Sequence, residues 1–206
     1  MANPETVRKI AQALLGVDVF HQELGKFVAK FSETEALIQT VFWEFAGVQP
    51  PTAQAVFSGV RTDDAMGKIT RIADAQKWPQ TRQKRKQHVF DQLKHINKLR
   101  NNILHYGAQL EGPDIWKVTN KAFVHVPENI SSEVISPQTL KAAWHDLDTI
   151  DLLLLDMVLE GREGRPDPDT VDQALKTAWQ YKPPPQAGRR RKSRGKSQKQ
   201  KRQRAS

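Results

Sequence analysis

The stretch QHVFDQLKHINKLRNNILHYG, residues 87–107, is the most helix-like part of the chain. Its apolar residues recur at intervals of three and four, which places their side chains on one face of an α-helix. The pattern predicts a helix from about Thr81 to Tyr106, ended by Gly107. A helix with one apolar face must bury that face against other elements, so the fold should be built around it. The predicted apolar face consists of Val89, Leu93, Ile96, Leu99, Ile103 and Leu104.

The segments before this helix are also predicted to be helical. Residues 4–30 carry an apolar pattern of one long helix, or of two helices joined near Gly16. Ser32 followed by Glu35 has the spacing of a capping box, so a further helix should begin there. Gly47 and the prolines that follow it should end that helix.

The remaining elements are shorter. We expect one helical turn at residues 53–57, and then a helix capped by Asp63. Residues 115–126 contain β-branched and aromatic residues around a polar centre, which predicts a small β-hairpin. Ser136 and Pro137 should begin the last core helix, as cap and first helical residue. The predicted fold is therefore all-α: an antiparallel helical bundle with a minor β-hairpin.

The positive charge of the chain is concentrated at one end. Of the 32 Lys and Arg residues, ten lie between Gln186 and Ser206, where there is no Asp or Glu. The rest of the chain is left with 22 basic and 23 acidic residues. Composition thus predicts a bundle at 1–161, a linker with one short helix at 162–185, and a disordered basic tail at 186–206.

The basic tail has two interpretations. Its cations, beginning with Arg189, Arg190, Arg191 and Lys192, would neutralise nucleic-acid phosphates in a salt-dependent way. It has no aromatic residue for base stacking, so sequence-specific binding is not expected from it. The alternative is a terminus that only keeps the protein in solution.

Several classes of protein are excluded or disfavoured by the composition. The absence of cysteine excludes disulfides and thiolate metal sites, and it suits a cytoplasmic protein. The longest apolar run is too short to cross a bilayer and contains two aspartates, so no membrane partner is expected. There is no phosphate-binding loop, dinucleotide fingerprint or nucleophile elbow, and the histidines lack metal-site spacing. We therefore predict no cofactor and no metal.

A charged residue interrupts the apolar face of the central helix. Arg100 falls near the middle of that face, and an unpaired buried charge would cost several kcal/mol, on the order of 3–5. It should therefore pair with a carboxylate such as Glu35 or Glu44, or face an opening to water. A purely structural ion pair is one interpretation, with His105 favoured at the negative end of the helix dipole.

The second interpretation is phosphodiester chemistry. A guanidinium group forks onto phosphate oxygens, and an imidazole moves protons near neutral pH. Asn97, Asn101 and His105 follow one ridge of the helix at intervals of four. On an ideal helix Arg100 and His105 are about 140° apart. They would converge if the helix loosened before Gly107, or if a twofold partner presented its own copy.

The residues Arg100-Asn101, three further residues, and His105-Tyr106-Gly107 resemble the RNxxxH form of the Arg-x4–6-His motif of HEPN domains. Members of this family are antiparallel helical bundles that dimerise through the helix with the motif. Many are metal-independent endoribonucleases that act as toxins, antiviral effectors or RNA-processing enzymes. Others only bind RNA or dimerise. The resemblance covers roughly residues 5–160 and implies a homodimer with an RNA substrate and an antitoxin partner.

The resemblance also implies roles for individual residues. His105 would transfer a proton at the RNA 2′-hydroxyl or at the leaving oxygen, and Arg100 would stabilise the charged phosphorane. Asn101 would be the polar residue that follows the motif arginine. Asn97 is expected to contact substrate because of its residue type and its place on the same ridge, not because of the resemblance. Some family members use an acidic residue on an early helix, for which Glu35 and Glu44 are both candidates. The expected product carries a 2′,3′-cyclic phosphate.

Overall fold

The structure, a computed structural model, describes residues 4–112, 115–127 and 130–184. These residues form helices and one small antiparallel sheet with the strand order β1-β2-β3. The predicted tail at 186–206 lies outside them. The helices are α1 Pro4–Ala46, α2 Pro50–Phe57, α3 Thr62–Ala75, α4 Gln80–Tyr106, α5 Pro137–Val158 and α6 Pro168–Lys176; the strands are β1 Gln109–Gly112, β2 Ile115–Thr119 and β3 Ser132–Ile135.

Helix α1 is continuous over 43 residues, so the first of the two expectations for this region, one long helix, is confirmed. The predicted capping box at Ser32 and Glu35 is wrong. The Ser32 hydroxyl instead donates to the carbonyl oxygen of Val28 at 3.0 Å, a bond that a serine makes inside a helix without ending it. The helix ends only at Gly47, which has a φ of +66°.

Helix α4 has the predicted bounds to within one residue. The Gly107 N–H donates to the carbonyl oxygen of Ile103 at 2.9 Å, with a φ of +70° that favours glycine. The predicted apolar face is buried with one exception: Leu104 is 50% exposed. Leu104 lies about 40° around the helix from Arg100, on the side that leads to His105, where no described element covers it.

The long helices pack in both relative directions. Helices α4 and α5 are antiparallel, because Gln92 contacts Asp146 while Arg85 contacts Asp156. Helices α1 and α5 are parallel, because Glu23 accepts a hydrogen bond from the indole of Trp144, and Lys30, further along α1, pairs with Asp151, further along α5. Antiparallel packing is therefore present between α4 and α5, whereas α1 and α5 pack in parallel.

Of the hairpin predicted at 115–126, the first strand is present as β2, but the prediction of a second strand is wrong. Strand β2 pairs with β1 on one side and β3 on the other, while residues 121–123 form a 3-10 turn. The side chain of Asn120 accepts a hydrogen bond from the Ser131 N–H at 2.7 Å, which closes the loop further along the chain than the sequence pattern indicates. The inner face of the sheet packs on α1. There the rings of Trp116 and Phe20 are stacked, with their centroids 4.0 Å apart.

The segment predicted as a linker is packed on the bundle over residues 162–184. It contains α6, which ends earlier than the predicted helix at 170–181. Residues 177–184, here called the C-terminal strap, then run across α4 and α5. The buried carboxylate of Asp146 accepts hydrogen bonds from the N–H groups of Gln180 and Tyr181 and from the side chain of Gln92. Three donors on one carboxylate hold the strap against the core.

Candidate active site: a polar cleft between three helices

The predicted site residues of α4 line one cleft of about 510 Å³. The cleft lies between the second half of α4, the beginning of α3 and the middle of α1. Asn97, Arg100, Asn101 and His105, all predicted as site residues, reach it from α4. The structure therefore brings together the whole predicted cluster in a single chain. The lining residues are Glu35, Arg61, Thr62, Asp63, Asp64, Asn97, Arg100, Asn101 and His105.

Arg100 and His105 share the cleft although they are about 140° apart on the helix. Asn97 and Asn101 project between them, so the cleft extends around this side of α4. The helix stays regular up to Tyr106. Neither a loosened helix end nor a second copy is needed for the two side chains to line the same space.

Arg100 does not form the predicted ion pair with Glu35 or Glu44 in the described part of the chain. Its guanidinium donates to the side-chain oxygen of Asn101 at 3.0 Å and lies 5.3 Å from the ring centroid of Phe31. The side chain is half-buried. A cation held over an aromatic ring, with donors still open towards the cleft, is available to an anionic ligand.

Of the two acidic candidates, only Glu35 lines the cleft. Its Oε1 accepts a hydrogen bond from the hydroxyl of Thr62 at 2.8 Å, and Thr62 is 1% exposed. Glu44 instead pairs with Arg162 away from the cleft. The Thr62 bond fixes one carboxylate oxygen of Glu35 and leaves the other free to accept a proton or a hydrogen bond.

The first turn of α3 supplies cleft residues that sequence reasoning missed. Arg61 occupies the N-cap position, so the prediction that Asp63 caps this helix is wrong. Asp63 and Asp64 lie in the first turn, are exposed, and have no hydrogen bond or ion pair within the described residues. Their place beside the motif depends on the packing of α3 against α1, which leaves no local sequence signal.

Asn97 is a buried polar residue that faces the cleft. It is 6% exposed, and its side-chain amide makes no hydrogen bond to another group in the described ranges. The amide atoms face the open cleft, so they can hydrogen-bond to water or to a ligand there.

The cleft combines three carboxylates, two guanidinium groups and one imidazole. This set offers proton transfer at His105 and Glu35 and stabilisation of negative charge at Arg100. Over residues 4–112, 115–127 and 130–184, no three His, Asp or Glu side chains are placed to hold a metal ion. The predicted contacts of Arg189, Arg190, Arg191 and Lys192 fall outside the described residues.

Comparison with known proteins identifies no relative: no family model, no curated protein and no solved structure matches the chain. None of the helices in the described ranges has the length and apolar character needed to cross a bilayer.

Proposed function

We propose that this chain is a HEPN-like, metal-independent endoribonuclease that acts as a homodimer in the cytoplasm. The observation that carries the proposal is the shared cleft of Arg100 and His105, in which Arg100 has no carboxylate partner among the described residues. A buried structural ion pair would have removed the arginine from chemistry. An open guanidinium beside an exposed imidazole is instead what a phosphodiester substrate requires.

The proposed reaction needs two proton transfers and one site of charge stabilisation. The 2′-oxygen of the RNA attacks the adjacent phosphorus, the bond from phosphorus to the 5′-oxygen breaks, and a 2′,3′-cyclic phosphate remains. His105 transfers one proton, at the 2′-hydroxyl or at the leaving 5′-oxygen. Glu35, which is held by Thr62 and lines the same cleft, would exchange the other proton. Arg100 neutralises the charge that grows on the phosphorane oxygens.

Asparagine side chains support this arrangement. Asn101 accepts a hydrogen bond from the guanidinium of Arg100 and so limits the positions that the arginine can take. Asn97 offers a donor and an acceptor to a substrate group. Holding the reacting groups in one geometry lowers the activation free energy of cleavage, because the entropy cost of orienting them is met when the substrate binds.

The experiment that tests the proposal is cleavage of RNA in excess EDTA by the wild-type protein and by His105→Ala. His95→Ala is the matched control, since His95 lies on the same helix but not in the cleft. We expect loss of cleavage in His105→Ala alone, products that end in a cyclic phosphate, and no cleavage at a 2′-deoxy position. Equal cleavage by the wild type and His105→Ala would contradict the proposal.

The alternative is a non-catalytic HEPN-like module that binds RNA or dimerises. The charge of the cleft favours the dimerisation form of this alternative, because three carboxylates outnumber two guanidinium groups, and phosphates are repelled by carboxylates. This alternative predicts no cleavage by the wild type or by His105→Ala, and an equal dimer content in the two proteins. A role as a toxin with an antitoxin partner stays a prediction from the family resemblance.

A further inference from the structure

A phenylalanine ring is exposed beside the end of the helix that carries the motif. Phe123 is 64% exposed, whereas the other Phe, Tyr and Trp side chains of the described ranges are buried or half-buried. A single exposed apolar residue is ordinary on a protein surface. Phe123 differs because the ring of Tyr106, the last residue of α4, lies against it, with the two centroids 5.5 Å apart. We call these two rings the aromatic pair.

The aromatic pair adjoins the cleft. Tyr106 directly follows His105, and the centroids of their rings are 6.5 Å apart. His105 lines the cleft, so a row of three rings leads from the proposed reacting group to the surface. A strand of RNA with one phosphate beside His105 would therefore carry a nearby base to the aromatic pair.

The turn that carries Phe123 is fixed by hydrogen bonds. The N–H of Phe123 donates to the carbonyl oxygen of Asn120 at 2.9 Å, and the side chain of Asn120 accepts from the N–H of Ser131 at 2.7 Å. The hydroxyl of Thr119 donates to the carbonyl oxygen of Ser131 at 3.1 Å. A ring on a fixed turn loses little conformational entropy when a ligand stacks on it, and this favours binding.

The charge around the aromatic pair suits a phosphate backbone. Residues 120–127 contain Lys121 and His125 and no Asp or Glu. Both side chains are exposed, and neither forms an ion pair with a described residue. Aromatic rings for the bases, next to basic groups for the phosphates, are the features that bind single strands with little sequence preference. The bases of a duplex stack on one another, so the occupant that fits this surface is an unpaired strand.

A second copy of the chain fits this surface less well. The dimer contact that we expect at the exposed Leu104 lies about 160° around α4 from Tyr106, so it leaves the aromatic pair uncovered. A twofold axis at Phe123 would also bring two copies of Lys121 close together, and like charges repel.

We infer that the aromatic pair stacks on an unpaired base of single-stranded RNA, close to the phosphate that the cleft holds. The position of that base beside the cleft rests on the proposed function, whereas single-strand binding stands on the rings and their charged neighbours. Stacking contributes binding free energy that does not depend on the phosphates. This contribution matters here because the carboxylates of the cleft outnumber its guanidinium groups.

The test is photo-cross-linking of the full-length protein to a single strand of 2′-O-methyl RNA that carries 5-iodouracil bases. The strand lacks the 2′-hydroxyl that the proposed reaction needs, so binding is measured without cleavage. Long-wavelength light joins iodouracil to an aromatic side chain on which it is stacked, and mass spectrometry identifies that side chain. We expect cross-links at Phe123 or Tyr106, and their loss when a complementary strand pairs the bases. The absence of cross-links at both residues would overturn the inference.

Matched substitutions separate stacking from general apolar contact. Phe123→Leu keeps an apolar side chain but removes the ring, and it should weaken binding of the same strand by roughly 10–100-fold, the effect of losing one base–aromatic stack. Phe123→Trp should retain the affinity. Val56→Ala changes a side chain on α2 that is also 64% exposed, and this control should have no effect. Equal affinities of the wild type and Phe123→Leu would contradict the inference.

The dependence of affinity on salt distinguishes stacking from phosphate contacts. Lys121→Ala should reduce the slope of log affinity against log salt by about 0.7, the value for one phosphate contact on a single strand. Phe123→Leu should leave this slope unchanged, and a reduced slope in Phe123→Leu would count against stacking. Conversion of a dimer to a monomer by Phe123→Glu would overturn the inference in favour of a second copy over the ring.

Cleavage of unmodified RNA separates this inference from the proposed function. A protein that cross-links at the aromatic pair but does not cleave RNA retains single-strand binding and loses the proposed activity. A protein that cleaves RNA without these cross-links, and at the same rate in the wild type and Phe123→Leu, retains the activity and loses this inference.

Discussion

The hydroxyl of Thr62 donates a hydrogen bond to Oε1 of Glu35 at 2.8 Å, joining the first turn of α3 to the middle of α1. The donor is 1% exposed, while the acceptor lines the cleft. Through this bond, a buried threonine determines the position of a carboxylate in the proposed active site. The two residues are 27 positions apart in the chain.

Replacing Thr62 with valine should therefore affect both stability and activity. Thr62→Val keeps the shape of the side chain but removes the donor, which should lower the free energy of unfolding by about 1 kcal/mol. Cleavage should fall by roughly tenfold, because Glu35 loses its fixed geometry. Denaturant unfolding and single-turnover cleavage measure the two effects. Thr62→Ser, which retains a hydroxyl, is the control, and full cleavage by Thr62→Val would remove Glu35 from the mechanism.

The rate of cleavage should be sensitive to any substitution of Arg100, including one that keeps the positive charge. Arg100→Ala should reduce single-turnover cleavage by roughly 10²–10³-fold, the typical effect of losing one group that stabilises transition-state charge. Arg100→Lys should recover only part of this loss, because an ammonium lacks the planar fork. Lys98→Ala, a change of an exposed cation on α4, should have little effect. Comparable losses in Lys98→Ala and Arg100→Ala would indicate general electrostatics instead of a specific role.

The exposed Leu104 tests the proposed homodimer. A half-exposed leucine beside the cleft would be covered if the α4 helices of two chains meet there. Leu104→Glu should then shift the protein from dimer to monomer in sedimentation experiments, with little change in the stability of the monomer. Val56→Glu is the control, since Val56 on α2 is 64% exposed and far from the motif helix along the chain. A dimer that survives Leu104→Glu would place its interface elsewhere.

Asp146 should control the attachment of the C-terminal strap. Asp146→Asn turns one acceptor atom into a donor that faces another donor, which should cost about 1–3 kcal/mol. Hydrogen exchange should become faster at the amides of Gln180 and Tyr181. Asp172→Asn, at an exposed position of α6, should leave both amides protected. Unchanged protection in Asp146→Asn would mean that other contacts hold the strap.

Tyr181 should make the protein less stable at alkaline pH. Burial raises the pKa of Tyr181 above its ordinary value of 10.0, and the nearby Glu133 carboxylate raises it further. Above pH 10 the unfolded chain loses a proton that the folded chain retains, so the stability should fall by up to about 1.4 kcal/mol per pH unit. Tyr181→Phe should lack this part of the decline between pH 10 and 11. Parallel unfolding curves for the two proteins over that range would contradict the assignment.

The helices were predictable where local pattern determines them. The apolar intervals of α4, the cap at Ser136 and the glycine after Tyr106 depend on neighbours within a few residues. The cluster from Asn97 to His105 was predictable for the same reason, because one helix carries all of it. The side chain of Arg100 interrupted an apolar face, and the structure places it at an opening.

The other features of the site and the sheet depend on tertiary contacts, which leave no local pattern in the sequence. Arg61, Asp63 and Asp64 reach the cleft only because α3 packs beside α1. The choice of Glu35 over Glu44 follows from the bond to Thr62. The sheet was misjudged because β-branched residues occur on both sides of the turn at 121–123, while the true partner strands are only four residues long.

The parallel packing of α1 on α5 has a consequence for synthesis of the chain. Glu23 and Lys30 of α1 meet residues that follow them by more than a hundred positions. At translation rates of about 5–20 residues per second, α1 leaves the ribosome roughly 6–24 s before its partner helix. During that interval its phenylalanines lack their final cover, and a chaperone that recognises apolar helices has its best opportunity to bind the nascent chain.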